Sequence, residues 1–167
     1  MNDIEILIEK FHLEAHPEGG YFKETYRSTG TIAMDSLPDK YNGERNYSTC
    51  IYFLLTSDTF SAFHKIKQDE MWHFYDGSPI MIHMIYPDGE YASIKLGLNL
   101  ANGEVPQAVV PGGTYFGSEM ISKSDFALVG CTVAPGFDFA DFEMPPRSVL
   151  LEKFPEHKKV IEKITNP

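Results

Sequence analysis

Between residues 47 and 139 apolar and polar positions alternate in short runs broken by turn residues. The runs are YSTCIYFLL (47–55), FSAFHKI (60–66), EMWHFYDG (70–77), PIMIHMIY (79–86), YASIKLG (91–97), VPQAVVP (105–111), TYFGSEM (114–120) and FALVGCTVAPGF (126–137). Ser-Asp, Asp-Gly, Pro-Asp-Gly-Glu, Ala-Asn-Gly-Glu and Pro-Gly-Gly punctuate them. Many short runs at regular spacing predict an all-β, mainly antiparallel sandwich or barrel, not a βαβ sheet. YFKETYRS (21–28) predicts one more strand, and the polar stretch 29–46 a surface loop or loose hairpin.

The ends of the chain carry the other period. Ile4, Leu7, Ile8 and Phe11 recur at helical spacing behind Asn2 or Asp3, either of which can cap a helix over 2–12. His16-Pro17-Glu18-Gly19-Gly20 supplies the stop, because the residue before proline is pushed out of the helical region. Phe154, Val160, Ile161 and Ile164 among charges predict a C-terminal helix over 154–165. A single domain over 1–167 follows, with the barrel core at about 18–145 and no linker or low-complexity stretch.

Composition sharpens this picture in three ways. Aromatic residues reach 13%, with 13 Gly and 11 Pro, which suits short strands and tight turns. A net charge of −10 argues against a nucleic-acid partner, since phosphate binding rests on clustered Lys and Arg. The acidic N-terminus and the lack of a run of about 18 apolar residues predict a cytoplasmic protein with no membrane span. Cys50 and Cys131 both lie in apolar runs and read as buried free thiols.

The densest chemistry lies in SAFHKIKQDEMWHFYDG (61–77). The strand period places His64 on a face with Phe60, Ala62 and Ile66. On the following run it places Glu70, Trp72 and Phe74 together and turns Met71, His73 and Tyr75 away. A hairpin over Lys67-Gln68-Asp69 would bring His64 beside Glu70. In a partly apolar cavity such a pair can tune each other toward neutral pKa values, as proton transfer requires.

The spacing from His64 through Ile66 and Glu70 to Gly77 resembles the first cupin motif, and Pro111-x-Gly113-x-x-Phe116 resembles the second. HPEGGYFKETYRS, IYFLL, FHKIKQDEMWHFYDGSP, VVPGGTYFGS and LVGCTVAPGFDFADFE together resemble cupin family 5, a domain of unknown function, from about Leu7 to Leu151. The resemblance implies a double-stranded β-helix (jelly-roll) barrel, commonly dimeric, with a pocket in its mouth. It also implies that only His64 and Glu70 stand at the metal-ligand positions of metal-binding cupins, with Ile66 and Phe116 in the other two. Two side chains hold a divalent ion poorly, so a metal is disfavoured and no cofactor is predicted. Sugar epimerases of the same barrel class work without a metal, using a histidine base and a tyrosine acid. On that likeness His64 is the base, Glu70 its partner, and Tyr26, Tyr75 or Tyr115 the acid, with Tyr26 preferred.

Other residues can complete a pocket. Trp72, Phe74 and Phe116 offer a wall for stacking against a ring. Glu24 on the 21–28 strand, His83, Gln107 and Asp138 can orient a polar ligand. His83 lies on an apolar face, where a structural histidine is the commoner case; Gln107 equally suits a solvated strand, and Asp138 an edge segment. The expectation is a protein that binds a small polar metabolite, carbohydrate-like or nucleotide-linked, with metal-independent epimerase- or isomerase-type proton transfer. Two alternatives stay open: a non-catalytic ligand-binding or storage-like barrel, and a metal-dependent cupin with an incomplete ligand set. A two-fold homodimer is expected from the apolar richness of the strands.

Overall fold

The computed structural model describes residues 2–123 and 125–167; Met1 and Ser124, inside the expected 1–167 span, lie outside the described residues. In chain order the strands are β1 (Glu14–Ala15), β2 (Tyr21–Arg27), β3 (Thr31–Ile32), β4 (Arg45–Asn46), β5 (Thr49–Thr56), β6 (Phe60–His64), β7 (Asp69–Gly77), β8 (Ile80–Ile85), β9 (Tyr91–Leu96), β10 (Gln107–Val110), β11 (Tyr115–Met120) and β12 (Phe126–Ala134). The larger sheet runs β1-β2-β5-β12-β7-β10 and the smaller β6-β11-β8-β9, with antiparallel neighbours throughout. The stretch read as a loose hairpin contains the short pair β3–β4.

Alternation sorts the side chains as the period demands. Phe53, Trp72, Phe74, Val129 and Cys131 from the larger sheet meet Ile82, Met84 and Phe116 from the smaller in one core. The outer face of the larger sheet is covered at one end by α1 (Asp3–Phe11), whose Ile4, Leu7, Ile8 and Phe11 pack on Leu54 and Leu128. Asn2 caps this helix and exchanges bonds with Glu5, and the helix stops at His12 in the left-handed region, ahead of the His-Pro turn. Cys50 pairs with Thr132, so Cys50 and Cys131 point to opposite faces, and both thiols are free. No helix among the described residues is long and apolar enough to cross a membrane.

Three local features depart from the sequence reading. First, β6 and β7 are not a hydrogen-bonded hairpin: the chain crosses from the smaller sheet to the larger between them. His64 and Glu70 therefore look at the same interior from opposite walls. Second, the C-terminal helix is split into α2 (Arg147–Lys153) and α3 (Lys158–Lys163), with a 3-10 turn at Pro155–His157. Pro155 cannot donate an N–H and forces Phe154 out of helical geometry. Leu150, Phe154, Ile161 and Ile164 nonetheless cover Phe63, Ile85 and Tyr115 on the outer face of the smaller sheet.

Third, β2 does not alternate evenly. Glu24 pairs with Ile51 and Tyr26 with Cys50, so Thr25 is an extra residue without a partner in β5. The bulge reverses the faces beyond it. Phe22, Glu24 and Arg27 turn inward, while Tyr26 turns out and is 55% exposed.

Candidate functional site

A cavity of about 350 Å3 opens at one end of the barrel. Strand β2 lends it Phe22, Glu24 and Arg27; β5 lends Thr49 and Ile51; His64, Ile66 and Glu70 come from the crossing between β6 and β7. The turn before β2 adds His16 and Glu18, and the segment after β12 closes the mouth with Phe137, Asp138, Phe139 and Phe142.

That mouth segment is fastened from below. Asp141, at the end of the 3-10 turn Phe139–Asp141, is buried and accepts bonds from Arg45 Nε and Nη2, both at 2.7 Å. Gln68 Nε2 adds a bond at 2.8 Å, and Lys67 Nζ lies 3.4 Å away. Burial alone would raise the Asp141 carboxyl, but the bonds from Arg45 and Gln68 outweigh it and hold the group below its ordinary value.

Inside, Glu18 Oε2 lies 2.7 Å from His64 Nε2, and His64 Nδ1 donates to the Ala62 carbonyl at 2.7 Å. A ring whose one nitrogen donates to a carbonyl while the other faces a carboxylate is an imidazolium. Burial opposes both charges, yet each partner's charge and hydrogen bond outweigh it. His64 is held above its ordinary value and Glu18 below. Gly19 is what lets Glu18 enter. Its φ is +108°, and a Cβ there would stand 2.0 Å from the Phe60 carbonyl oxygen. The turn thus lies flat on β6, where the Ala62 N–H donates to the Glu18 carbonyl at 2.7 Å.

His16 and Glu70 complete the interior. His16 Nδ1 accepts the Glu18 N–H at 3.1 Å, which leaves the ring hydrogen on Nε2; burial among Phe22, Phe139 and Phe142 keeps the ring below its ordinary pKa. Glu70 is 8% exposed and receives no bond from an N–H or O–H group among the described residues. Burial pushes its carboxyl from an ordinary 4.5 up to about 7, with charged His64 pulling the other way and Glu18 adding to the rise. This gives a sign for stability. The folded state holds the Glu70 proton more tightly, so stability falls as pH rises from 4.5 through about 7. Glu70→Gln is expected to stabilise the protein by about 3 kcal/mol at about pH 8 and by almost nothing at about pH 4. Urea unfolding at both pH values checks it; equal effects would mean that Glu70 does not titrate across this range.

Of the residues expected at the site, the cavity gathers His64, Glu70, Glu24 and Asp138. The expected pairing of His64 with Glu70 is corrected to His64 with Glu18, which reaches the ring from the preceding turn. Tyr26 is carried outward by the Thr25 bulge. Trp72 and Phe74 do point inward, but they lie deeper, in the packed core. Phe116 buttresses the His64 ring at 4.1 Å rather than facing the cavity. Gln107 is on the outer face of edge strand β10, donating to His73 Nδ1. His83 is on the outer face of β8, bonded to Tyr91 at 2.7 Å and Glu119 at 2.9 Å. Sequence reasoning missed Glu18, His16 and the Phe137–Phe139–Phe142 cluster as a mouth. The double glycine at 19–20 was the available signal, since it marks a close backbone approach.

A cupin metal does not fit these residues. Both His64 nitrogens are engaged, Ile66 and Phe116 offer no donor, and no cluster of three or more His, Cys, Asp or Glu suited to an ion exists among the described residues.

The same arrangement of strands recurs in known proteins. A Shewanella oneidensis protein, SO0799, has a solved structure 42% identical, with a TM-score of 0.88 over 100% of this chain and 99% of that one. A hypothetical protein from Leishmania major is 33% identical, with a TM-score of 0.91 over 99% of this chain and 100% of that one. The uncharacterized protein YML079W of Saccharomyces cerevisiae is 38% identical over 149 residues, 84% of this chain and 74% of the relative. Bacillus subtilis oxalate decarboxylase shares the fold at 15% identity and a TM-score of 0.54, over 94% of this chain and 38% of that one. The Cupin_5 family, described as Cupin superfamily (DUF985), matches residues 5–145, and the chain belongs to that family.

Proposed function

We propose that the cavity binds a small polar metabolite, carbohydrate-like or nucleotide-linked, and that Glu70 moves a proton on it in a metal-independent reaction of the epimerase or isomerase type. The Glu70 carboxyl carries this reading: it is buried, lines the cavity, lacks an N–H or O–H partner among the described residues, and ionises at about 7. A general base poised near neutral pH is the state that proton abstraction favours. The likeness to cupin epimerases put the base at His64, but both of its nitrogens are bound, so its charge instead favours ionised Glu70. In the step envisaged, a C–H proton beside a substrate carbonyl passes to a Glu70 oxygen while the electron pair moves onto the carbonyl oxygen. His16 Nε2–H donates a hydrogen bond to that oxygen. Return of the proton to the same or the adjacent carbon completes the exchange.

Solvent exchange tests this directly. Candidate sugars and sugar nucleotides are incubated with the protein in deuterated water and followed by NMR. Deuterium is expected at one substrate carbon, with a rate that climbs with pH and levels off above about 7. Glu70→Gln is expected to slow it by about 10²–10⁴-fold. Exchange that survives the substitution would remove Glu70 from the chemistry, and a bound ligand that never exchanges would favour a purely binding barrel.

The proposal extends to a two-fold homodimer. Tyr26, Met71, Tyr75 and Val109 are exposed on the outer face of the larger sheet, where α1 does not cover it, and such a face suits self-association.

A further inference from the structure

We infer that the cavity selects a ligand carrying a protonated amine, seated between the Phe137–Phe139–Phe142 cluster and the carboxylates of Glu70 and Asp138. The inference rests on the proposed reading of the cavity as the ligand site, and it chooses between the two ligand types named there. The phosphates of a nucleotide-linked compound are best met by free cations, and among the described residues the lining offers no cation without an acid partner. No lysine among the described residues lines the cavity. Its arginine among the described residues is Arg27, which has four of its five N–H groups engaged and its charge matched by Glu24: Nε and Nη2 donate to Glu24 at 3.1 and 2.6 Å, Nη1 to Asn46 at 2.8 Å, and Nη2 to the Phe137 carbonyl at 3.1 Å. The His64 charge is matched by Glu18.

The surplus is negative. Once Glu18 and Glu24 are paired, Asp138 and Glu70 remain, and neither has a cation within 4.0 Å among the described residues. Asp138 accepts the Ala140 N–H with Oδ1 at 2.8 Å and keeps its other oxygen unbonded among the described residues. Glu70 is more than nine-tenths buried with its carboxyl on the cavity.

The aromatic geometry fits the same ligand. Phe137 and Phe139 are 4.9 Å apart at 80°, Phe139 and Phe142 5.8 Å apart at 70°, and Phe137 and Phe142 6.5 Å apart at 79°. Such edge-to-face packing fixes the rings at the opening, and Phe139, 55% exposed there, leaves aromatic surface that an ammonium group can approach through its attraction to the ring quadrupole. A desolvated cation between such a surface and a carboxylate gains from both.

The test compares matched probes by NMR, reading chemical-shift changes of the cavity residues during titration. Glucosamine is expected to bind about tenfold more tightly than glucose, and glucose 6-phosphate more weakly than either. Cyclohexylamine is expected to exceed cyclohexanol by a similar factor. Phe139→Leu and Asp138→Asn should each shrink the amine preference without changing the fold, since both side chains are exposed. Amine and hydroxyl probes binding equally, or the phosphate binding best, would overturn the inference while leaving a carbohydrate-binding cavity intact. Cyclohexylamine binding selectively while neither sugar binds would support the amine inference and remove the carbohydrate reading. No amine binding at all would overturn it.

Discussion

Glu18→Gln is expected to cost about 3–5 kcal/mol at about pH 5.5 and markedly less at about pH 8.5, as measured by urea unfolding. In the native protein the Glu18–His64 pair is buried on both sides, so removing one charge strands the other. The pH dependence follows from the directions of the two groups. His64 is held above its ordinary 6.5, so its contribution is full below that value and is lost as pH rises through the folded one. Glu18 is held below its ordinary 4.5, so its contribution is full above that value and is lost as pH falls through the folded one. The pair therefore stabilises most between 4.5 and 6.5. In Glu18→Gln the ring sheds its proton, and at high pH the glutamine amide can donate to the emptied Nε2 while Nδ1 keeps its bond to Ala62. An NMR titration should show the His64 pKa dropping below its ordinary value in the variant. A cost independent of pH would show that the two groups are not an ion pair.

Arg45→Ala is expected to be as damaging, about 3–5 kcal/mol at neutral pH, because it leaves the Asp141 carboxylate buried with Gln68 and the partly exposed Lys67 as its remaining donors. Asp141 is held below its ordinary 3.8, so the native contact contributes above that value and is lost as pH falls through the folded one. The deficit of the variant should accordingly narrow in acid. Arg45→Met combined with Asp141→Leu removes both charges and should recover much of the loss, since no buried charge is left unpaired and the cost is one Gln68 N–H without its acceptor. The 3-10 turn that carries Phe139 hangs on this carboxylate, so protease cleavage near residues 137–142 should accelerate in Arg45→Ala and not in the double variant. An Arg45→Ala protein with unchanged stability and cleavage would mean the mouth is held by its phenylalanines alone.

What could be read beforehand depended on how local the cause was. The faces of β7 follow from a two-residue period over one unbroken run, so Glu70, Trp72 and Phe74 were assignable inward and His73 outward. How far inward each one sits was not, because depth depends on which side chains arrive from the other sheet; Phe53 and Phe116 fill the space beside Trp72 and leave the opening at Glu70. The crossing between β6 and β7 also had no local mark, since a short turn can close a hairpin or switch sheets. Glu18 was the largest omission. A glutamate between proline and glycine suits a solvated turn, and its burial comes from the close passage of Gly19 over Phe60, 41 residues on in the chain. The ligand positions of the family resemblance located the cavity at His64 and Glu70, but the partner of the histidine came from a segment that no such position marks.

The extra residue in β2 has one more consequence, for insertions and deletions rather than substitutions. Ahead of Thr25 the even-numbered residues 22 and 24 line the cavity; behind it the odd-numbered Arg27 does. Thr25 thus changes the numbering of the inward face, and its side chain matters less than the bulge it makes. Thr25→Ser or Thr25→Val keeps the count, and with it the bond network of Glu24, Arg27 and Asn46. Deleting the residue removes the bulge: Glu24, Tyr26 and Arg27 then stand opposite Ile51, Cys50 and Thr49 in unbroken register, with Tyr26 still outward and Arg27 still inward. A lineage of such barrels could thus lose this codon and keep its guanidinium at the cavity, whereas flattening the bulge with Thr25 retained would exchange it for the Tyr26 phenol.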